Sequence, residues 1–265
     1  MHEQRDWFRL DGRHALVGGA TQGIGRACAI ALARAGARVT ITGRNDEGLS
    51  KVVSELATIG PGHTTLHVDH ADWQAAQRAL DGLVSRDPVH VFVHNTGGPA
   101  AGFAIDADPS QFMAALSQHV ATGQAIMQSC APGMRAVGYG RLVSITSTSV
   151  TTPLRGLGVS NVVRAAVANW VRTLAHELGR FGITANNVMP GFTRTGRLVS
   201  LFEGKARRSG VAVDDIEREA IATIPAARIA EPDEIAAAVL FLCSPAASYV
   251  NGVNLPVDGG RLVQD

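Results

Sequence analysis

The 265-residue chain predicts an α/β fold, a doubly wound parallel sheet of about seven strands with helices on both faces. Three observations point to it. Short β-rich runs alternate with longer stretches of helical period, the runs are nearly continuously apolar, and a glycine-rich turn joins the first run to the first helical stretch. A parallel strand covered on both faces needs apolar side chains on both, so its sequence does not alternate.

Taken in order, HALVG at 14–18 opens the pattern and helical period follows at 25–35. Strands are then expected at 38–42, 64–68 and 89–94, separated by helices at 47–59 and 73–85. A long helix is expected at 112–137, a strand at 141–145, a second long helix at 159–181 and a strand at 184–188. Helix 232–244 and strand 254–257 complete the set. No low-complexity linker or composition shift divides the chain, so 1–265 reads as one domain.

One stretch is irregular. From 192 to 230 the chain uses far more residues than a strand-to-helix connection needs, with short helices expected near 194–208 and 213–224 on either side of Ser209–Gly210. Such an excursion at the carboxyl edge of a parallel sheet is a lid over a ligand, or else a structural or subunit contact. Its cations Arg194, Arg197, Lys205, Arg207 and Arg208 either attract an acidic substrate or form a solvated face.

Composition excludes several classes. With 46% apolar and 18% charged residues and a net charge of +1, the chain is neither disordered nor built for a polyanion, so no nucleic-acid partner is expected. Cys28, Cys130 and Cys243 lie far apart in apolar helical patterns, without a CxxC pair or a histidine at metal-ligand spacing. They read as buried thiols of a reducing compartment, and no metal is expected. The start, MHEQRDWFRLDG, has no apolar h-region, and no apolar run approaches ~18 residues, so a soluble, cytoplasmic protein with no membrane partner is expected.

After the first strand comes GGATQGIGRA, which places Gly19, Gly23 and Gly25 at the turn into a helix. Glycines there permit positive φ and close backbone approach, so a pyrophosphate can rest on the unpaired N–H groups of the helix N-terminus. The spacing is G-x-x-x-G-x-G, and further motifs follow in order: VHNTGG, ITANNVMPGFTRT and YVNGVNLPVDGG. With LDGRHALVGGATQGIG at the start, the whole chain resembles the short-chain dehydrogenase/reductase family, particularly its acyl-carrier-protein reductase-like members.

The resemblance implies a Rossmann-type, dinucleotide-binding domain and a set of cofactor residues. These are Gly19, Thr21, Gly23, Ile24 and Gly25 in the first turn, Arg44 and Asn45 after the second strand, and Asp69 and His70 after the third. Asn95, Thr96 and Gly97 follow the fourth strand, and Pro190, Gly191, Thr193 and Thr195 follow the sixth. Asp69 matches a residue near the adenine amino group, and Thr195 one that contacts the nicotinamide carboxamide; a turn residue and a helix cap are the alternatives. A site for NAD usually ends its second strand with an acid, whereas Gly43 stands there and Arg44 follows. NADP(H) is therefore favoured, through a guanidinium on the 2′-phosphate, unless Arg44 simply points to solvent.

The catalytic set departs from the family. The resemblance implies an asparagine in the first long helix, a serine after strand five, and a Tyr-x-x-x-Lys pair in the next helix. The tyrosine transfers a proton while hydride moves between nicotinamide and a carbonyl or alcohol carbon, and the lysine lowers its pKa and holds the ribose. Here GRLVSITS places Ser147 at the serine position, while His119 replaces the asparagine, Ser160 the tyrosine and Arg164 the lysine. The two tyrosines, Tyr139 and Tyr249, and the two lysines, Lys51 and Lys205, cannot form the pair in any register.

Arg164 can still donate to ribose hydroxyls, and Ser147 and Ser160 to a substrate oxygen. The proton would come through His119 or a water it orders, unless His119 only packs at a helix bend; Ser160 is otherwise a helix N-cap and Ser147 a strand-closing hydroxyl. Two functions remain open: an atypical NADP(H)-dependent oxidoreductase acting on a carbonyl or alcohol, in the manner of a 3-oxoacyl reductase, and a catalytically silent NADP(H)-binding sensor or partner subunit. A serine hydrolase lacks its G-x-S-x-G elbow. The resemblance also implies a homo-oligomer, a tetramer or dimer, with the helices of His119 and Arg164 at the interface.

Overall fold

Strands and helices alternate along the computed structural model, which describes residues 6–263. The strands are β1 His14–Val17, β2 Arg38–Gly43, β3 Thr64–His67, β4 Val91–His94, β5 Gly140–Ile145, β6 Ile183–Pro190 and β7 Asn254–Val257. They pair in parallel in the order β3-β2-β1-β4-β5-β6-β7. The order reverses between β1 and β4, so the loops that leave these strands diverge and open a crevice at the carboxyl edge.

Alternate side chains of the central strands feed two cores. Val17, Ile41, Val93 and Val143 face α1 (Gly23–Arg34), α2 (Asp46–Ala57) and α9 (Pro232–Cys243). Leu16, Phe92 and Leu142 face α3 (Trp73–Val84), α5 (Thr122–Val137) and α6 (Gly158–Leu178). Each such side chain fully buried stabilises the fold by about 1.5–3 kcal/mol. All three cysteines are buried and free. Among the described residues, no helix is long and apolar enough to cross a membrane.

The long helix expected at 112–137 is instead three pieces. Asp108 caps α4 (Pro109–Leu116) in a capping box with Gln111, which starts the helix three residues early. A π-helical turn over Ser117–Ala121 then leads into α5. The Thr122 hydroxyl contacts the Ser117 carbonyl five residues back at 3.2 Å and the His70 carbonyl at 2.7 Å, consistent with the widened turn.

The start of α6 also differs in its cap. Ser160 is the third residue of the helix and Leu157 the N-cap, so the N-cap alternative for Ser160 does not hold. Backbone bonds secure this end instead: Gly158 N–H donates to the Gly102 carbonyl at 2.9 Å, and Gly102 N–H to the Gly156 carbonyl at 2.8 Å. Gly158 is needed for this approach, since a Cβ there would lie 2.3 Å from the Ala104 nitrogen.

Within the 192–230 excursion, α7 (Gly196–Ser209) and α8 (Val213–Ala222) share a small core of Leu198, Phe202, Ile216, Ala220 and Ile229. Gly210, at φ 72°, ends α7 in the left-handed conformation. The two ends of the excursion are tied together: Arg194 N–H donates to the Ala230 carbonyl at 2.8 Å, and Ala230 N–H to the Phe192 carbonyl at 3.0 Å.

Candidate active site

The loops after β1, β4, β5 and β6 converge on one cleft, walled on one side by α6 and on the other by the excursion. Its floor is the glycine-rich turn. Gly19 and Gly23 take φ of 56° and 55°, and a Cβ on Gly25 would lie 2.4 Å from the Gly19 carbonyl oxygen. Asn95 stitches the turn to β4, its Nδ2 donating to the Gly18 and Gly19 carbonyls at 3.0 and 3.3 Å. The N-cap of α1, Gln22, makes no side-chain cap bond, so the first N–H groups of α1 have no side-chain acceptor of that kind. This cradle of bare backbone beside an open helix N-terminus fits a dinucleotide pyrophosphate.

At the end of β2 the Arg44 side chain is 70% exposed, with Nη1 3.8 Å from Asp69 Oδ1. This long, exposed ion pair is weak, so the guanidinium can turn to a phosphate. Asn45 caps α2, accepting from Gly48 N–H at 2.9 Å, and Thr21 lies against Gly43 and Gly48. Asp69 also serves its own turn, accepting from Ala71 N–H at 3.0 Å. Thr195 is the N-cap of α7, accepting from Leu198 N–H at 3.4 Å, and it also lines the cleft beside Gly23. Ile24, Thr96, Gly97, Pro190, Gly191 and Thr193 line the same cleft, whereas Thr21, Arg44, Asn45, Asp69 and His70 lie outside its lining.

Ser147, Ser160 and Arg164 meet at the far end. Ser147 Oγ accepts from Ser149 N–H at 3.1 Å, and the Ser160 hydroxyl has no hydrogen-bond partner shown among the described residues. Arg164 donates through Nη1 to the Ile145 carbonyl at 2.7 Å. Burial, and secondarily the charge of Arg197, lower its pKa to about 10, so it remains a cation at neutral pH. Tyr139 is remote, with its hydroxyl bound to the Cys243 carbonyl at 2.6 Å, and Tyr249 is fully exposed.

His119 requires a correction. It sits in the π-helical turn with 0% exposure, does not line the cleft, and places Nδ1 2.6 Å from the Thr96 hydroxyl. Burial above all, then Arg164, pushes its pKa down to about 2, so its ring is neutral and cannot act as an acid near pH 7. Packing at the helix bend is its place. Arg197, expected either to attract an acidic substrate or to lie on a solvated face, is exposed yet lines the cleft and donates to the Gly98 and Pro99 carbonyls at 3.0 and 2.9 Å. Arg261, in the last turn, was missed altogether and lines the cleft too.

Beneath the floor His70 and His94 are buried with His119, and burial lowers their pKa values to about 4 and about 3. An unfolded histidine takes up its proton near pH 6.5, so each group's stabilisation is complete above that pH and is lost as pH falls toward its folded pKa. For His70 alone the loss amounts to about 3 kcal/mol by the time pH falls below 4. Urea denaturation at pH 7.5 and pH 4.5 is expected to show a markedly lower midpoint in acid; equal midpoints would contradict the assignment of neutral buried rings.

Among the described residues, no cluster of histidine, cysteine or acidic side chains could hold a metal. Residues 19–261 match the family model described as enoyl-(acyl carrier protein) reductase. The 7alpha-hydroxysteroid dehydrogenase of Escherichia coli (strain K12) is 32% identical over 96% of both chains. Among solved structures, a gluconate 5-dehydrogenase from Burkholderia cenocepacia J2315 in complex with NADP and tartrate superposes with a TM-score of 0.87, at 28% identity over 98% of this chain and 99% of that one. L-sorbose reductase from Gluconobacter frateurii, complexed with NADPH and L-sorbose, gives a TM-score of 0.91 at 25% identity over 98% and 100% of the two chains. The chain belongs to the short-chain dehydrogenase/reductase family of oxidoreductases.

Proposed function

We propose that this protein is an NADP(H)-dependent oxidoreductase that interconverts a carbonyl and an alcohol, with solvent rather than a tyrosine as its proton source. The observation that carries this reading is the convergence of Ser147, Ser160 and Arg164 on the cleft that also receives the open N-terminus of α1. When bound, the dinucleotide supplies or accepts the hydride.

The rest falls to the chain's own residues. The α1 N–H groups and the glycine turn hold the pyrophosphate, Arg44 holds the 2′-phosphate beside Asn45, and Asp69 closes the adenosine end, with the buried His70 ring packed behind it. Thr193 and Thr195 position the carboxamide, and Arg164 donates to the ribose. Ser147 and Ser160 donate to the substrate oxygen, and Arg164 stabilises the negative charge that develops there, while water gives the proton. A serine is far too weak an acid to replace a phenol, so the proton step is slow, by about 10²–10⁴ relative to a positioned acid. His119 supports Thr96 rather than the chemistry.

The excursion acts as the lid. The protein is a homo-oligomer in this reading, since Ile105, Met113 and Val162 expose apolar surface on and beside α4 and α6. A catalytically silent dinucleotide-binding protein would share the same cofactor face, and the absence of a phenol from the cleft lining favours that second reading.

Arg44→Ala tests the cofactor assignment. Losing a charge-assisted bond of about 1.5–3 kcal/mol is expected to raise the Kd for NADP⁺ by roughly 10- to 100-fold and leave that for NAD⁺ unchanged. Isothermal titration with both dinucleotides reads the difference, and equal effects on the two would contradict it.

A further inference from the structure

The cleft lining carries three cations, Arg164, Arg197 and Arg261, and no aspartate or glutamate. Outside the cleft, Arg194 pairs with Glu217 and Glu231, Lys205 with Glu219, and Arg207 with Glu203, while Arg208, which does not line the cleft, has no carboxylate within ion-pair distance among the described residues. Arg197 does line it. No carboxylate among the described residues lies within ion-pair distance of it, and its fork crosses to the carbonyls of Gly98 and Pro99. Arg164 is likewise held by a carbonyl alone, that of Ile145.

The two guanidiniums feel each other. Burial lowers the pKa of both, and the charge of Arg197 lowers that of Arg164 further. Like charges in a partly desolvated cleft, met only by carbonyl dipoles, leave a field that an anion between them would relieve. The loop that Arg197 grips continues to Gly102, which bonds to Gly156 and Gly158 at the head of α6, so this cation borders the wall that carries Ser160 and Arg164.

We propose that the substrate of this cleft is an anion, a hydroxy or oxo acid whose carboxylate pairs with Arg197 while its reacting oxygen faces Ser147 and Ser160. This rests on the carbonyl/alcohol reading for the reacting end, and the anion site is tested apart from it.

The probe is tartrate, set against threitol, in which CH₂OH replaces each carboxylate. Both are titrated calorimetrically into the full-length protein at constant ionic strength, with and without saturating NADP⁺. Tartrate is expected to bind about tenfold or more tighter than threitol. Arg197→Gln is expected to abolish that preference, and Arg197→Lys, which keeps the charge without the fork, to retain part of it. Neither substitution should shift the Kd for NADP⁺ by more than about twofold.

Equal binding of the two probes, or no tartrate binding by the parent, overturns the proposal. So does an Arg197→Gln variant that loses NADP⁺ more than tartrate, which would assign the guanidinium to the dinucleotide phosphates. Failure of the cofactor reading is separable, because it appears as loss of NADP⁺ binding with the tartrate preference intact.

Discussion

A Ser160→Tyr, Arg164→Lys double variant is expected to reduce carbonyl substrates about 10²–10⁴-fold faster than the parent, a barrier lower by roughly 3–5 kcal/mol. Ser160 lines the cleft, and backbone bonds to Gly102 and Gly156 rather than its hydroxyl hold the head of α6. A phenol at this position therefore changes the acid without removing the helix cap. The lysine supplies the nearby cation that lowers a phenol's pKa from ~10 toward neutrality. Ser160→Tyr alone is expected to recover a smaller part. Steady-state NADPH oxidation reads the gain, and an unchanged rate would mean that more than the acid is missing.

Gly25→Ala is expected to lower dinucleotide affinity by more than about hundredfold. The added Cβ would sit 2.4 Å from the Gly19 carbonyl oxygen and 2.8 Å from Asn95 Nδ2, so the turn itself must move. That turn carries both the positive-φ glycines and the approach to the α1 N-terminus. Gly82→Ala is the control, because a Cβ there meets nothing within 4 Å and a helical alanine is favoured by up to about 1 kcal/mol. Fluorescence titration with NADPH measures both, and a Gly25→Ala variant that binds normally would place the pyrophosphate elsewhere.

The alternating apolar runs specified the sheet and the two helical layers, because burial on both faces leaves a continuous signature such as Val91–His94. The break at Ser209–Gly210 was legible for a similar reason, since glycine takes the left-handed conformation without strain. The start of α4 was legible but overlooked: Asp108, Pro109 and Gln111 spell a capping box.

The π-helical turn was not legible. It goes with contacts of Thr122 and His119 to His70 and Thr96, which are distant in sequence. The burial that silences His119 is a tertiary property, and composition around it gives no sign of it. Arg197 was hidden in the same way, one cation among several on its helix until the fold turned it toward Gly98 and Pro99. Motif spacing, by contrast, picked out Gly19, Gly23, Gly25, Asn95, Ser147, Ser160, Arg164 and Thr195, and the fold brings all of them to one cleft.

Turnover separates an oxidoreductase from a silent binding protein most directly. Single-turnover incubation of the full-length protein with NADPH carrying deuterium at C4, against a panel of oxo acids and ketones, reports hydride transfer by mass spectrometry of the product alcohol. Deuterium on the carbinol carbon of at least one product is expected, at a rate limited by the slow proton step. NADPH that binds tightly yet retains its label across the whole panel would contradict the oxidoreductase reading.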